Sequence, residues 1–206
     1  MLLCLDLATV SGFAYGTGAE APVLGHVRMP DTKEDVGSFL DFFYRWLHLK
    51  ITDVQAECGP DLLTDPTPYG AKLRNPKDLI MVFEAPQLPR AKIDPDPRHH
   101  GRIIQAPVSA ATARKLMGIA GVCEMVGIQR GLLVEEVNIM TVKKHLGGSG
   151  RAEKPDMMAA AERCGLKPKV HDEADAFGVW ICAMRAYAKQ YQHLWDQRLY
   201  GPRSLV

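Results

Sequence analysis

The chain has 206 residues, of which 47% are hydrophobic and 24% are charged, and its formal net charge is +1. This length and composition predict a single globular domain (1–206) with a substantial buried core. The near-neutral charge does not by itself indicate a nucleic-acid binder, so any such activity must come from a local basic patch. The five cysteines are odd in number and form no C-x-x-C pair. That pattern argues against a zinc site or a disulfide framework and is typical of a reducing compartment.

The N-terminal apolar run is interrupted early, at Asp6. No apolar stretch approaches the roughly 20 residues needed to span a bilayer. We therefore expect no signal peptide, no membrane partner and a soluble protein of the cytoplasm.

Three short strands are predicted at 2–8, 11–18 and 22–29, because apolar runs there are separated by turns rich in Gly, Ala and Pro. Apolar residues at helical spacing predict an amphipathic helix over about 34–50. Residues 59–78 carry four prolines and little pattern, which predicts a long loop.

An apolar strand at 79–86 is followed by a second Pro-rich loop at 86–107. The remaining chain predicts one strand and four helices before a C-terminal tail at 192–206. The strand covers 131–137, and the helices cover 109–128, 139–148, 152–165 and about 171–191. Alternation after a meander predicts an α/β fold, in which a mixed five-stranded sheet (antiparallel meander, then parallel strands) is flanked by helices.

Four acids occupy informative positions in this pattern. Asp6 lies inside an apolar strand and Glu84 ends another, while Asp172 and Asp175 share a helix face one turn apart. Each has an ordinary explanation alone: an ion pair, a solvated strand end, or favourable charge at a helix N-terminus. Together they can meet at one site of a mixed sheet, and an all-oxygen site suits Mg²⁺ or Mn²⁺. Two such ions can activate water for phosphodiester cleavage.

Four sequence motifs then point to a family. They are LDLATVSGFAYG (5–16), VFEAP (82–86), VKKHLGGSGRAEK (142–154) and DEADAFGVWICA (172–183), in this order. They resemble the motifs of RuvC-type Holliday junction resolvases, nucleases of the RNase H-like superfamily. The resemblance implies an RNase H-like fold and a crossover junction endodeoxyribonuclease, which hydrolyses phosphodiester bonds of four-way branched DNA by paired, symmetric nicks. It also implies a bacterial nucleoid or a phage-infected bacterial cytoplasm as the place of action.

The resemblance assigns roles to the four acids. Asp6, Glu84, Asp172 and Asp175 become catalytic metal ligands for two Mg²⁺ or Mn²⁺ ions. Some relatives have a histidine at the first position of the helical pair, so the adjacent His171 is an alternative ligand to Asp172.

The resemblance also assigns roles to basic residues. Lys143 and Lys154 become catalytic residues near the scissile phosphate, although lysines at a helix end can equally serve the helix dipole. The DNA contacts expected from the motif at 142–154 are Lys143, Lys144, Arg151 and Lys154. A separate basic stretch in the loop at 86–107 adds Arg98 and Arg102 as expected DNA contacts, although a solvated loop explains that stretch equally well.

The helix at 109–128 carries small residues that permit close helix approach. They are Ala110, Ala113, Gly118 and Gly121. Family members dimerise through the equivalent helix, so the resemblance implies a homodimer, which suits a two-fold symmetric junction.

Two departures leave the substrate open. The loop after Glu84 lacks the aromatic residues that relatives use near the crossover, and Leu88 is its nearest large apolar residue. The loop at 59–78 is longer than the family's connection. A broader branched-DNA or flap nuclease is therefore an alternative. An actin-like or sugar-kinase-like ATPase, which opens with a similar strand and hairpin, is less favoured because it normally needs two such domains. A catalytically silent junction binder is disfavoured by the four acids, which repel DNA unless cations are bound.

Overall fold

The structure, a computed structural model, describes residues 1–57, 79–88 and 108–201, and between 88 and 108 only 92–93, 96, 98 and 103–105. The strands of the described residues are β1 (Leu2–Asp6), β2 (Val10–Gly16), β3 (Val23–Arg28), β4 (Ile80–Glu84), β5 (Lys92–Ile93), β6 (Ile103–Gln105) and β7 (Leu133–Val137). Five of them form one sheet in the order β3-β2-β1-β4-β7. Within it β1, β2 and β3 are an antiparallel meander, whereas β4 is parallel to both β1 and β7. The predicted mixed sheet is confirmed.

Helices cover both faces of this sheet. They are α1 (Val36–Glu57), α2 (Ala110–Gln129), α3 (Ile139–Gly147), α4 (Lys154–Arg163), α5 (His171–Tyr187) and α6 (Gln192–Tyr200). One hydrophobic core lies under α1 and α2, and a second lies under α3 to α6. Among the described residues, no helix is both long and apolar enough to cross a membrane.

The side chains of β1 alternate between the two cores. Leu3 and Leu5 belong to the core under α1 and α2, whereas Leu2 and Cys4 belong to the core under α5. Because successive strand residues point to opposite faces, Asp6 follows the second set. The acid therefore points towards α5.

Two predicted boundaries need correction. Helix α1 continues to Glu57 rather than ending near residue 50, because Ile51 and Val54 extend its buried stripe. The expected loop at 86–107 contains a short antiparallel pair, β5 and β6. The other expected loop, 59–78, lies outside the described residues.

The expected tail at 192–206 is also wrong for its first nine residues, which form α6. Trp195 and Leu199 are one helical turn apart and both are buried. The Trp195 indole nitrogen donates a 2.8 Å hydrogen bond to the Gly18 carbonyl, and the Tyr200 hydroxyl donates one of 2.8 Å to the His145 carbonyl. Burial of the two apolar side chains therefore fixes this helix to the domain.

The first turn of α5 lies directly on the sheet at Gly12. A Cβ atom at this position would lie 1.8 Å from the Asp172 carbonyl oxygen and 2.3 Å from the Asp172 carbonyl carbon. Gly12 pairs with Asp6 in the register of β1 and β2. A residue without a side chain is thus needed where α5 approaches the acid of β1.

We predict that Gly12→Ala lowers the free energy of unfolding by about 1–3 kcal/mol, the usual range for overpacking a buried site. Urea denaturation measures this effect. The matched control is Gly37→Ala in the exposed first turn of α1, where a Cβ would approach no atom closer than 3.5 Å. Equal stability of the wild-type and Gly12→Ala proteins would contradict the close approach.

Candidate active site

Two of the four predicted acids end neighbouring parallel strands. Asp6 is the last residue of β1, and Glu84 is the last residue of β4. The register pairs Leu5 with Phe83, so the two acids follow at the same edge of the sheet. Val82 belongs to the core under α5, and strand alternation therefore turns Glu84 to that face as well.

Asp6 is held in an environment that disfavours its charge. Only 9% of the residue is exposed, and this burial raises the pKa of its carboxyl well above the usual range. The charges of the other three acids raise the pKa further, in the order Glu84, Asp175 and Asp172. The ammonium group of Lys154 opposes them by lowering it. These four acids therefore share one region of the molecule.

In Glu84 and Asp175, as in Asp6, burial and neighbouring acids raise the pKa while nearby lysines lower it. Burial, and then the charge of Asp175, raise the pKa of Glu84 to about 7, against the lowering effect of Lys143. Burial also raises the pKa of Asp175, while Lys154 and Lys143 lower it. Both lysines predicted for the site therefore lie near its acids.

His171 and Asp172 begin the helix that carries Asp175. Both affect the pKa of Asp175, which the Asp172 charge raises and the His171 charge lowers. The His171 side chain is exposed, whereas Asp172 is half-buried. Asp172 additionally acts on Asp6, so it is the better placed of the two to complete the set of acids.

A short turn between α3 and α4 delivers Lys154. Helix α3 ends at Gly147 and is capped by Gly148, whose φ of 80° is favourable for glycine. Helix α4 then begins at Lys154, and the backbone nitrogen of Glu153 donates a 2.9 Å hydrogen bond to the Asp156 carboxylate. The glycine stop and this cap together explain why the motif 142–154 places its last lysine beside acids of the sheet.

The donor chemistry of the four acids fits a hard divalent cation such as Mg²⁺, which prefers carboxylate oxygens. Burial is the main cause of the raised pKa of Asp6, Glu84 and Asp175, and a cation would offset the mutual repulsion that adds to it. Among the described residues, no group of three or more His, Cys, Asp or Glu side chains is arranged so that it could hold a metal ion. The four acids therefore lie in one region without forming a ready-made set of metal ligands.

The remaining predicted basic residues are exposed, paired with another acid or outside the described residues. Lys144 is exposed on α3, and Arg151 is exposed in the turn before α4. The Arg98 guanidinium is bound to Asp96 through hydrogen bonds of 2.5–3.1 Å. Arg102 lies outside the described residues.

Sequence reasoning missed one buried acid beside the site, Glu173. It is only 3% exposed. His26 Nδ1 of β3 lies at hydrogen-bonding distance, 2.8 Å from Glu173 Oε1, and the backbone N–H of Lys169 donates to Glu173 Oε2 at 2.6 Å. The sequence indication of its burial is that Glu173 lies in the first turn of a helix and is followed by an apolar stretch. Its partner on β3 is 147 residues away, so local pattern could not reveal the contact.

No protein-family model and no curated protein matches the chain. Solved structures do match. The structure of Thermus thermophilus RuvC has a TM-score of 0.52 and 14% identity, covering 97% of this chain and 96% of that one. T. thermophilus RuvC in complex with a Holliday junction substrate has a TM-score of 0.53 and 13% identity, with the same two coverages. At this identity the comparison shows the fold alone: the chain has a RuvC-like, RNase H-like fold.

Proposed function

We propose that this protein is a metal-dependent endonuclease that resolves four-way branched DNA. The observation that carries the proposal is the convergence of four acids and two lysines where β1 and β4 end beneath α5. The solved structure of T. thermophilus RuvC with a Holliday junction substrate supports the same reading of the fold. A broader branched-DNA or flap nuclease would use the same chemistry and differ in substrate.

The acids would hold one or two Mg²⁺ or Mn²⁺ ions, whose chemistry when bound is to activate water and stabilise charge on phosphate oxygens. The sheet fixes Asp6 and Glu84 at its edge, while α5 supplies Asp172 and Asp175. Lys143 and Lys154 place positive charge beside these acids, where a scissile phosphate would carry negative charge.

The proposal includes a homodimer, because a four-way junction has two equivalent strands to cut and one chain supplies one set of acids. The surface of α2 offers an apolar stripe at helical spacing around Gly121, formed by Met117, Met125 and Ile128, which are 52%, 43% and 72% exposed. A Cβ at Gly121 would meet no atom within 4 Å. Gly118, also expected at the dimer contact, instead packs against Leu40 of α1 within the same chain.

We predict that Asp6→Asn, Glu84→Gln and Asp175→Asn each abolish cleavage of a synthetic mobile four-way junction in Mg²⁺. Binding of the junction should be retained or tightened, because each substitution removes a charge that repels DNA. Cleavage assays beside mobility shifts measure the two effects. The matched control is Asp41→Asn, an exposed acid of α1 that pairs with Arg45.

Near-normal turnover in one of these variants would show that the substituted acid is not part of the active site. Linear duplex and flap substrates complete the experiment. Equal cleavage of flaps and junctions would favour the broader branched-DNA nuclease over the resolvase.

We predict that the metal-free protein loses unfolding free energy as pH rises from about 4.5 to about 7. Between its ordinary pKa of 4.5 and its folded pKa of about 7, Glu84 binds more protons in the folded state than in the unfolded state. Rising pH therefore favours unfolding in this window. Urea titrations at several pH values should show a flatter dependence for Glu84→Gln, and Mg²⁺ should stabilise the wild type more at pH 8 than at pH 5. An unchanged slope in the variant would contradict the assignment.

We predict that Gly121→Arg splits the dimer, because a bulky charge would enter the apolar stripe of α2. Light scattering at micromolar concentration should show a wild-type dimer and a monomeric variant, with Gly121→Ala as the small neutral control. A wild-type protein that is monomeric both in free solution and on a junction would contradict the proposed homodimer.

A further inference from the structure

We propose that a second basic surface binds the DNA backbone on the β3 side of the candidate site. It consists of Arg28, Lys167 and Lys169, and we call it the β3-side surface. The inference rests on the proposed action on DNA, and it adds the path along which the backbone crosses the acids.

Arg28 is positioned by the register of the meander. Both β1 and β3 are antiparallel to β2, so they run in the same direction and end at the same edge of the sheet. One row across the sheet joins Asp6, Gly12 and His26. Arg28 follows His26 by two residues, which places it on the same face as His26. Arg28 is exposed and is the last residue of β3, the outermost strand of the sheet. It therefore lies at the end of the sheet where β1 also terminates, at Asp6.

The two lysines lie on the segment that joins α4 to α5. Leu166 and Pro168 are buried, whereas Lys167 and Lys169 are exposed. This alternation turns both lysines outwards while the residues between and before them anchor the segment to the core.

Glu173 joins that segment to β3. One of its carboxylate oxygens accepts the Lys169 backbone N–H at 2.6 Å, and the other lies 2.8 Å from His26 Nδ1. A single buried side chain thus holds the Lys169 backbone close to the strand that carries Arg28. The three cations are therefore gathered on a fixed framework, which lowers the ordering cost of binding an anion.

These cations have no ion-pair partner in the part of the chain that the structure describes. No ion pair joins Arg28, Lys167 or Lys169 to another described residue, in contrast to Arg45 and Arg185, which bind Asp41 and Asp196.

The surface also lies opposite the lysines already placed at the site. Lys143 acts on Glu84 of β4, whereas the β3-side surface lies two strands beyond β1 in the other direction. The acids are thus flanked by positive charge on both sides. A DNA strand that crosses them can place phosphates on each flank, and phosphate contacts fix the position of a duplex without reading its sequence.

The test is the salt dependence of binding to a four-way junction and to linear duplex, measured by fluorescence anisotropy with Ca²⁺ in place of Mg²⁺. Each phosphate contact contributes about 0.9 to the slope of log K against log salt on duplex DNA. We expect Lys169→Ala to lower the slope by about 0.9, and the triple variant Arg28→Ala, Lys167→Ala, Lys169→Ala to lower it by about 2–3.

Two further variants control the experiment. Lys189→Ala removes an exposed lysine beyond the far end of α5, roughly 25 Å from Asp172 at the rise of a helix, and should leave the slope unchanged. The double variant Lys167→Arg, Lys169→Arg keeps the charges and should keep the wild-type slope. If the triple variant does not fold, the comparison of this double variant with the single Lys169→Ala variant provides the test instead.

A wild-type slope in Lys169→Ala and in the triple variant would overturn the β3-side surface, as would a wild-type protein that binds no DNA. Cleavage of the junction by the wild type in Mg²⁺ is scored separately. A protein that binds with the expected loss of slope but cuts nothing would support the surface and overturn the nuclease. A protein that cuts junctions while its variants keep the wild-type slope would overturn the surface alone.

Discussion

The close approach of the Asp172 backbone to Gly12 is the contact on which the rest of the candidate site depends. Helix α5 carries two of the four acids, and its first turn reaches the sheet only because β2 has no side chain at that point. The same residue pairs with Asp6, so the helix start and the acid of β1 meet in one row. Asp6 is buried beside this contact, and burial is the main cause of the raised pKa of its carboxyl. One missing methyl group thus links a packing constraint to the electrostatics of the site.

Ionising the buried acids of the site is unfavourable, as the raised pKa of Asp6, Glu84 and Asp175 indicates. The hydrophobic core under α5 contributes stability that offsets this cost. Phe177 and Trp180 of α5 and Trp195 of α6 form a contiguous aromatic cluster with ring centroids 4.9–6.0 Å apart. Aromatic pairs at these distances contribute about 0.5–1.5 kcal/mol each beyond the area they bury. Helix α6 therefore stabilises α5, the helix that carries Asp172 and Asp175.

The sequence predicted those features that depend on local pattern and failed where distant residues decide. Strand alternation at Asp6 and the helical spacing of Asp172 and Asp175 predicted that these acids face one site, and their role there stays a prediction. The mixed sheet, which the structure confirms, followed from the order of elements. The helical pattern at 109–128 could not reveal that Gly118 faces Leu40 while Gly121 faces outwards, because periodicity does not identify the neighbour.

A net charge of +1 is compatible with DNA as a partner because the charges are arranged and not averaged. Four clustered carboxylates repel a phosphate backbone at short range, so binding without a cation requires attraction from positions beside them. In the proposed nuclease, Lys143 and Lys154 would supply that attraction from α3 and α4, and the β3-side surface would supply it from the opposite flank. In the proposed nuclease such an arrangement would separate two tasks: the flanks would hold the DNA backbone, and the acids would act only once a cation had neutralised them. The near-neutral total charge would then limit the number of phosphate contacts, which would keep affinity for ordinary duplex low and leave the geometry of the bound DNA to decide what is cut.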